Sequence, residues 1–105
     1  MNAEQTTPRA AEELILAVTG DAPRSHRARE NLQRLLGKLG SDLHPREIDL
    51  TAAPEQSLAF GLFASPALVR VRDGQTQSVL YGDLSDEVRL RHFLGDLVSA
   101  SSPVS

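Results

Sequence analysis

The chain has 105 residues, of which 40% are hydrophobic and 24% charged, and its formal net charge at pH 7 is -3. These values predict one folded domain with one modest core, and they give no basic field that would collect the phosphates of a nucleic acid. The sequence contains no cysteine, which excludes disulfides, thiolate nucleophiles, zinc-thiolate sites and iron-sulfur clusters.

The two ends of the sequence are rich in small and polar residues. Residues 1–11 show no periodic pattern and the tail of residues 99–105 contains Pro103, so we expect both to be flexible and the domain to span residues 12–98. The longest apolar run, residues 14–18, is far too short to cross a membrane and follows no basic region typical of a signal peptide. We therefore expect a cytoplasmic protein without a membrane partner.

The first half of the domain predicts a strand, a long helix and a second strand. Residues 14–18 are continuously apolar, which indicates a central strand covered on both faces. Pro23 suits the first turn of the helix that follows, Gly40 suits its end, and an apolar stripe lies between them. The stripe consists of Ala28, Leu32, Leu35, Leu36 and Leu39. Residues 43–50 alternate apolar and charged side chains after Pro45, which predicts an edge strand.

The second half predicts a short helix, a hairpin and a final helix. Pro54 opens the short helix. Two strand-like runs then flank Asp73-Gly74, a dipeptide that favours the tight turn of a hairpin. Ser85 is predicted to cap the last helix, whose first turn is acidic. The apolar side of that helix is predicted to contain Val88, Phe93, Leu94 and Leu97.

The predicted order of elements is strand, helix, strand, helix, hairpin and helix. A crossover helix makes the first two strands parallel, and the hairpin adds antiparallel strands to the same sheet. The pattern therefore predicts an α/β domain of order βαβαββα, with a mixed four-stranded sheet and helices on both faces. This order is compatible with a thioredoxin-like fold, although periodicity alone does not prove it.

Several short strings of residues occur in an order and spacing that resemble the KaiB family of circadian clock proteins. They are Gly20-Asp21-Ala22-Pro23-Arg24-Ser25, Arg27-Ala28 with Asn31-Leu32, Glu47-Ile48-Asp49-Leu50, Ala64-Ser65-Pro66-Ala67-Leu68-Val69 and Gly82-Asp83-Leu84-Ser85. The resemblance covers residues 14–97. It implies a thioredoxin-like fold without redox cysteines, and a chain able to switch to a second form, the tetrameric KaiB ground state.

The resemblance also implies partners. The first is a KaiC-like ATPase ring, whose phosphorylation cycle a KaiB-like protein modulates, and KaiA-like proteins or histidine kinases are further implied partners. Because the Asp73-Gly74 hairpin and the capped last helix both agree with the thioredoxin-like form, we expect that form, as a monomer, to prevail over the tetramer. No cofactor is expected, since the glycines form no phosphate-binding motif.

The candidate partner-binding residues comprise a first surface, formed by Arg24 and Arg27 with the nearby loop before Pro66, and a second surface at the edge strand around Ile48. They are Arg24, Arg27, Ile48, Ala64, Ser65, Pro66 and Arg70. Pro66 resembles a family proline that is often cis, so we expect a cis bond before it. Ile48 is included because an unpaired strand edge can accept another chain's backbone. Arg70 stands near a position where the family often has lysine, a departure that bears on which partner is bound. The resemblance places a fold-switch region at Gly82, Asp83, Leu84 and Ser85.

No catalytic or metal site is predicted. His26, His44 and His92 fall on three different elements, and the carboxylates around Asp86 are explained by the start of a helix. For Arg24 and Arg27 an ordinary solvated helix start is the alternative to a contact surface. The alternative to an adaptor is a redox-inactive thioredoxin-like module for stress response or histidine-kinase signalling. An enzyme that uses hydroxyl or carboxylate chemistry is also left open.

Overall fold

The computed structural model describes residues 12–101, which fold in the order that the sequence predicts. The elements are β1 (Glu12–Val18), α1 (Pro23–Lys38), β2 (Arg46–Asp49), α2 (Glu55–Ala59), β3 (Ala67–Arg72), β4 (Gln75–Tyr81) and α3 (Glu87–Ser101). Residues 1–11 and 102–105, predicted to be flexible, lie outside the described residues. Helix α3 runs to Ser101, past the predicted end of the domain at residue 98.

The four strands form one mixed sheet in the order β2-β1-β3-β4. β1 pairs in parallel with β2 and antiparallel with β3, so the predicted central strand and the predicted edge strand are both confirmed. β3 and β4 form the predicted hairpin. Its two turn residues, Asp73 (φ 53°) and Gly74 (φ 79°), both have the positive φ that a type I′ turn requires.

The two faces of the sheet carry separate hydrophobic layers, because successive side chains of a strand point to opposite sides. Leu14, Leu16 and Val18 of β1 face α1 and α3 and pack on their leucines. Ile15 and Ala17 face the other way, toward the segment that contains α2. The second layer is completed by Leu62, Ala67, Val69 and Val71, with Ile48, Leu50, Phe60, Val79 and Tyr81 packed around them.

Helix α3 differs from the sequence prediction in its cap and its apolar side. The N–H of Arg89 donates to Oδ1 of Asp86 at 3.1 Å, so Asp86 caps the helix. The predicted cap, Ser85, belongs to the preceding turn, where its N–H donates to Asp83. Val88 is 75% exposed because it lies two residues, or about 200°, around the helix from buried Leu90.

Candidate functional site

The loop after β1 is closed by polar contacts from three segments of the chain. The N–H of Thr19 donates to Oγ of Ser25 at 3.0 Å, and the Thr19 hydroxyl contacts the hydroxyl of Ser65. Gly20, with φ 47°, donates its N–H to Oδ1 of Asp49 at 3.0 Å. The loop is therefore fastened to the start of α1, to the end of β2 and to the segment before β3.

Asp49 is a loop-closing residue that the sequence analysis missed. Its Oδ1 accepts hydrogen bonds from the Thr51 hydroxyl at 2.7 Å and the Thr51 N–H at 2.9 Å. These bonds, with that from Gly20, lower the pKa of the Asp49 carboxyl. The position of Asp49 in the sequence could have predicted this contact. β1 and β2 are parallel, so polar residues at their carboxyl ends meet at the same edge of the sheet.

The peptide bond between Ser65 and Pro66 is cis, which confirms the expectation for that proline. Pro66 is buried, and its carbonyl accepts a hydrogen bond of 2.9 Å from the N–H of Gly82. The preceding Ala64 is exposed and Ser65 is half-buried beside Thr19. This arrangement brings the segment before β3 and the end of β4 against the loop after β1.

Two arginines on the first turns of α1 have different surroundings. The guanidinium group of Arg24 lies close to the backbone of Gly82, since a Cβ atom added to that glycine would be 3.8 Å from Nη2 of Arg24. Within the described residues, Arg24 forms no ion pair. Nε of Arg27 donates to Oδ2 of Asp83 at 3.1 Å. Arg24 is therefore available to a partner, whereas Arg27 is already engaged within the fold.

The predicted fold-switch region, residues 82–85, is held against α1. The carbonyl of Asp83 accepts from Nδ2 of Asn31 at 2.9 Å, and hydrogen bonds from Ser85 and Arg27 lower the pKa of the Asp83 carboxyl. Leu84 is buried in the core although its φ is 63°, a region that residues other than glycine rarely adopt. The segment is thus fixed by one buried leucine and several polar bonds.

An exposed aromatic ring, also missed from the sequence, lies next to these groups. Phe63 is 85% exposed, and its ring centroid lies 4.4 Å from that of Tyr81. Tyr81 in turn lines a shallow cavity together with Arg24. We call the set formed by exposed Arg24, Phe63 and Ala64 and half-buried Ser65 the corner surface.

The cavity at the corner surface is small. Its volume is about 130 Å³, below the range of roughly 300–1,000 Å³ that small-molecule ligand pockets occupy. It is lined by Arg24, Leu80, Tyr81, Gly82, Asp83, Leu84, Ser85, Asp86 and Arg89. This cavity is therefore smaller than a typical small-molecule site.

Two predicted partner-binding residues lie away from the corner surface. Arg70 stands four residues along β3 from Pro66, or roughly 13 Å, and its Nη1 donates to the carbonyl of Phe93 at 3.1 Å. Its Nη2 also lies 3.4 Å from the carboxylate of Glu12. Ile48 is on the edge strand as predicted, but its half-buried side chain packs in the second hydrophobic layer. Both side chains therefore contribute to the packing of the fold.

The histidines and acidic residues are dispersed over the described structure. Within residues 12–101, no three histidine, aspartate or glutamate side chains gather as they would around a metal ion. His26 lies 4.0 Å from the fully exposed carboxylate of Asp21, a contact between surface groups. None of the helices in these residues has the length and apolar character to span a membrane.

Comparison with solved structures identifies the fold. Mitochondrial thioredoxin 3 of Saccharomyces cerevisiae aligns over 84% of this chain and 80% of its own, with a TM-score of 0.66 and 17% identity. Fasciola hepatica thioredoxin aligns over 87% of this chain and 81% of its own, with a TM-score of 0.63 and 13% identity. A mutant thioredoxin of Halobacterium salinarum aligns over 90% of this chain and 77% of its own, with a TM-score of 0.63 and 20% identity. The chain therefore has a thioredoxin-like α/β fold, as predicted. No family model and no curated protein matches the sequence.

Proposed function

We propose that this protein is a non-enzymatic adaptor of the KaiB-like kind, which binds a KaiC-like ATPase ring and modulates its phosphorylation cycle. The observation that carries the proposal is the corner surface, where exposed Arg24 and Phe63 lie near Ser65, whose hydroxyl contacts Thr19 in the loop after β1. Pro66 resembles the family proline beside which thioredoxin-like domains receive a partner's backbone, and the resemblance to KaiB implies the same contact here.

The side chains at the corner support binding over catalysis. Thr19, Ser25 and Ser65 place hydroxyl groups there, and a chain without cysteine has no thiolate to act in redox exchange. Hydroxyl nucleophiles need an adjacent base. Among the described residues, these hydroxyls form hydrogen bonds with one another or with the backbone, and none is hydrogen-bonded to a histidine, lysine or carboxylate. The corner thus offers no activated nucleophile.

Shape and chemistry also favour a protein partner. Arginine and aromatic residues are enriched among the side chains that dominate protein interfaces. Arg24 and Phe63 supply one of each on a surface whose cavity is too small for most ligands. A partner that presents a carboxylate to Arg24 and an apolar pocket to Phe63 would complement this surface.

Arg27 has a different place in the proposal. Its ion pair with Asp83 fastens α1 to residues 82–85, where the resemblance places the start of the fold-switching segment. We assign Arg27 the role of stabilising the thioredoxin-like form, in which the corner surface exists. A partner that binds only this form is then favoured by the same contact.

The test is binding of purified variants to the KaiC-like ATPase of the host, measured with the ATP-loaded ring. Arg24→Glu and Phe63→Ala should each weaken binding by about tenfold or more. Gln33→Glu is the control, since Gln33 is an exposed residue of the same helix outside the corner surface, and it should change binding by less than about twofold. Equal losses for Arg24→Glu and Gln33→Glu would contradict the corner surface.

The adaptor role itself is tested by capture from host lysate with the wild-type protein. Recovery of the ATPase ring supports the adaptor. Recovery of a histidine kinase without the ring would instead support the alternative, a redox-inactive signalling module, and would contradict the proposal.

A further inference from the structure

The outer edge of β4 differs from the other edge of the sheet. In the described residues β4 has one neighbour, β3, and its seven residues (Gln75–Tyr81) include no charge and no proline. Native edge strands are usually short, charged or covered, which prevents pairing with other chains. β2 follows this rule, with four residues of which Arg46, Glu47 and Asp49 are charged. β4 has a register shift opposite Arg70 and Val71, but Ser78–Tyr81 are in regular register with β3 and carry neither charge nor proline.

The register of the hairpin shows which backbone groups face outward. Gly82 donates its N–H to Pro66, and the pairs Leu68 with Leu80 and Ala67 with Tyr81 follow along the ladder. Residues of an antiparallel strand alternate between bonding the neighbour and pointing away from it. Val79 and Tyr81 therefore turn their N–H and C=O groups to the open edge.

A groove lies beside this edge, between β4 and α3. Its volume is about 470 Å³, and its lining is Val79, Leu80, Val88, Arg89, His92 and Phe93. The 75% exposure of Val88 adds an apolar side chain to the rim. Arg89 and His92 are the titratable residues of the lining, and both are basic. The groove therefore combines an apolar surface with groups that attract negative charge.

We propose that β4 accepts an extended peptide of a partner protein, with alternating apolar and acidic side chains, as a fifth strand of the sheet. Backbone groups of Val79 and Tyr81 bond the peptide, an apolar side chain packs against Val88, and a carboxylate lies near Arg89. A second copy of this chain fits less well. Two-fold pairing through β4 would bring the basic side chains of both copies to the same groove, and β4 supplies no carboxylate to neutralise them.

The first test measures binding of a fluorescent peptide of about nine residues that alternates valine with glutamate. Val88→Glu should lower the affinity for this peptide by about tenfold or more, because the substitution removes the apolar contact and repels the peptide's carboxylates. The fold should tolerate this change, since Val88 is exposed and glutamate suits the first turn of a helix. The matched control is Leu58→Glu, which alters an 86% exposed residue on α2 and should change binding by less than about twofold.

A peptide with lysine in place of glutamate tests the charge argument. It should bind the wild-type protein about tenfold more weakly than the acidic peptide, and Val88→Glu should bind it more tightly than the wild type does. Equal binding of the two peptides would overturn the acidic partner.

Amide hydrogen exchange locates the added strand. The acidic peptide should slow exchange at Val79 and Tyr81 by about tenfold or more, because their N–H groups become hydrogen-bonded. Protection along Arg46–Asp49 in their place would assign the peptide to the other edge and overturn the proposal. Protection of Val79 and Tyr81 in the protein alone, rising with its concentration, would identify a second copy as the occupant and would also overturn it.

Discussion

Helices α1 and α3 cover the same face of the sheet but are attached to it in different ways. α1 buries five residues, Ser25, Ala28, Leu32, Leu35 and Leu36, and has no side-chain cap at its N-terminus. α3 buries Leu90 and Leu94, starts from the Asp86 cap, and binds Lys38 of α1 through Glu87. A non-helical residue, Gly95 (φ 40°, ψ -122°), then interrupts α3.

The difference shows which parts of the two helices rely on packing and which also rely on polar contacts. Burial of leucines gives a stabilisation that no single polar contact matches, whereas exposed ion pairs contribute about 0–1 kcal/mol each. α1 is therefore held by packing along its length, while residues 82–86 and the first turn of α3 are held by buried Leu84 and Leu90 together with several exposed polar contacts. That boundary coincides with residues 82–85, where the resemblance to KaiB implies a change of fold, and the change itself stays a prediction.

The largest effect is expected from a core residue of α1. Leu35 is 2% exposed and packs in the layer between α1, α3 and the sheet. Leu35→Ala should lower the free energy of unfolding by about 2–5 kcal/mol, because it removes buried methyl groups and leaves a cavity. Urea unfolding measures this, with Val88→Ala on α3 as the exposed control, expected to change stability by less than about 0.5 kcal/mol. Similar values for the two variants would refute the packing of α1.

A smaller effect is expected at the start of α3. Asp86→Ala should lower the free energy of unfolding by about 1 kcal/mol, since the N–H of Arg89 loses its acceptor. Ser85→Ala should cost less than about 0.5 kcal/mol, because the Ser85 contribution to the turn comes partly from its backbone N–H. The two variants separate the caps assigned by structure and by sequence. A larger loss of unfolding free energy for Ser85→Ala than for Asp86→Ala would show that Ser85 caps the helix.

The parts of the fold that the sequence predicts correctly are those with local signals. The apolar run of residues 14–18 indicates a strand buried on both faces, and Asp73-Gly74 indicates the turn by its tolerance of positive φ. Pro45 and the charges around it indicate the edge strand. Each of these features depends on residues that are neighbours in the chain, so a single sequence suffices to find it.

The parts that escape prediction depend on residues far apart in the chain. Arg70 bonds the carbonyl of Phe93, and its placement on the α3 side of the sheet follows from register and packing. Phe63 escapes prediction because an aromatic residue in a loop is more often buried than exposed. The kink at Gly95 is permitted because glycine has no Cβ to strain its φ of 40°, but a single glycine within a helical pattern does not by itself predict a kink.

The smallest effect concerns Asp83 and is visible through its dependence on pH. Hydrogen bonds from Ser85 and Arg27 lower the pKa of this carboxyl in the folded state below its unfolded value of about 3.9. A lowered folded pKa means that the contribution of Asp83 to stability is present above about pH 4 and is lost as pH falls through the folded pKa. Asp49 and Glu87 also have lowered pKa values, so the whole protein should lose stability in acid.

Comparison with Asp83→Asn isolates the single carboxylate. Asparagine keeps an oxygen for the N–H of Ser85 but removes the charge that faces Arg27. We expect the wild type to exceed the variant by about 0.5–1 kcal/mol in free energy of unfolding near pH 6, as for other exposed ion pairs, and by progressively less as pH falls below about 4. Urea unfolding across this range measures the difference. A difference that stays constant with pH would show that Asp83 acts by its shape, and the link between α1 and residues 82–85 would then not be electrostatic.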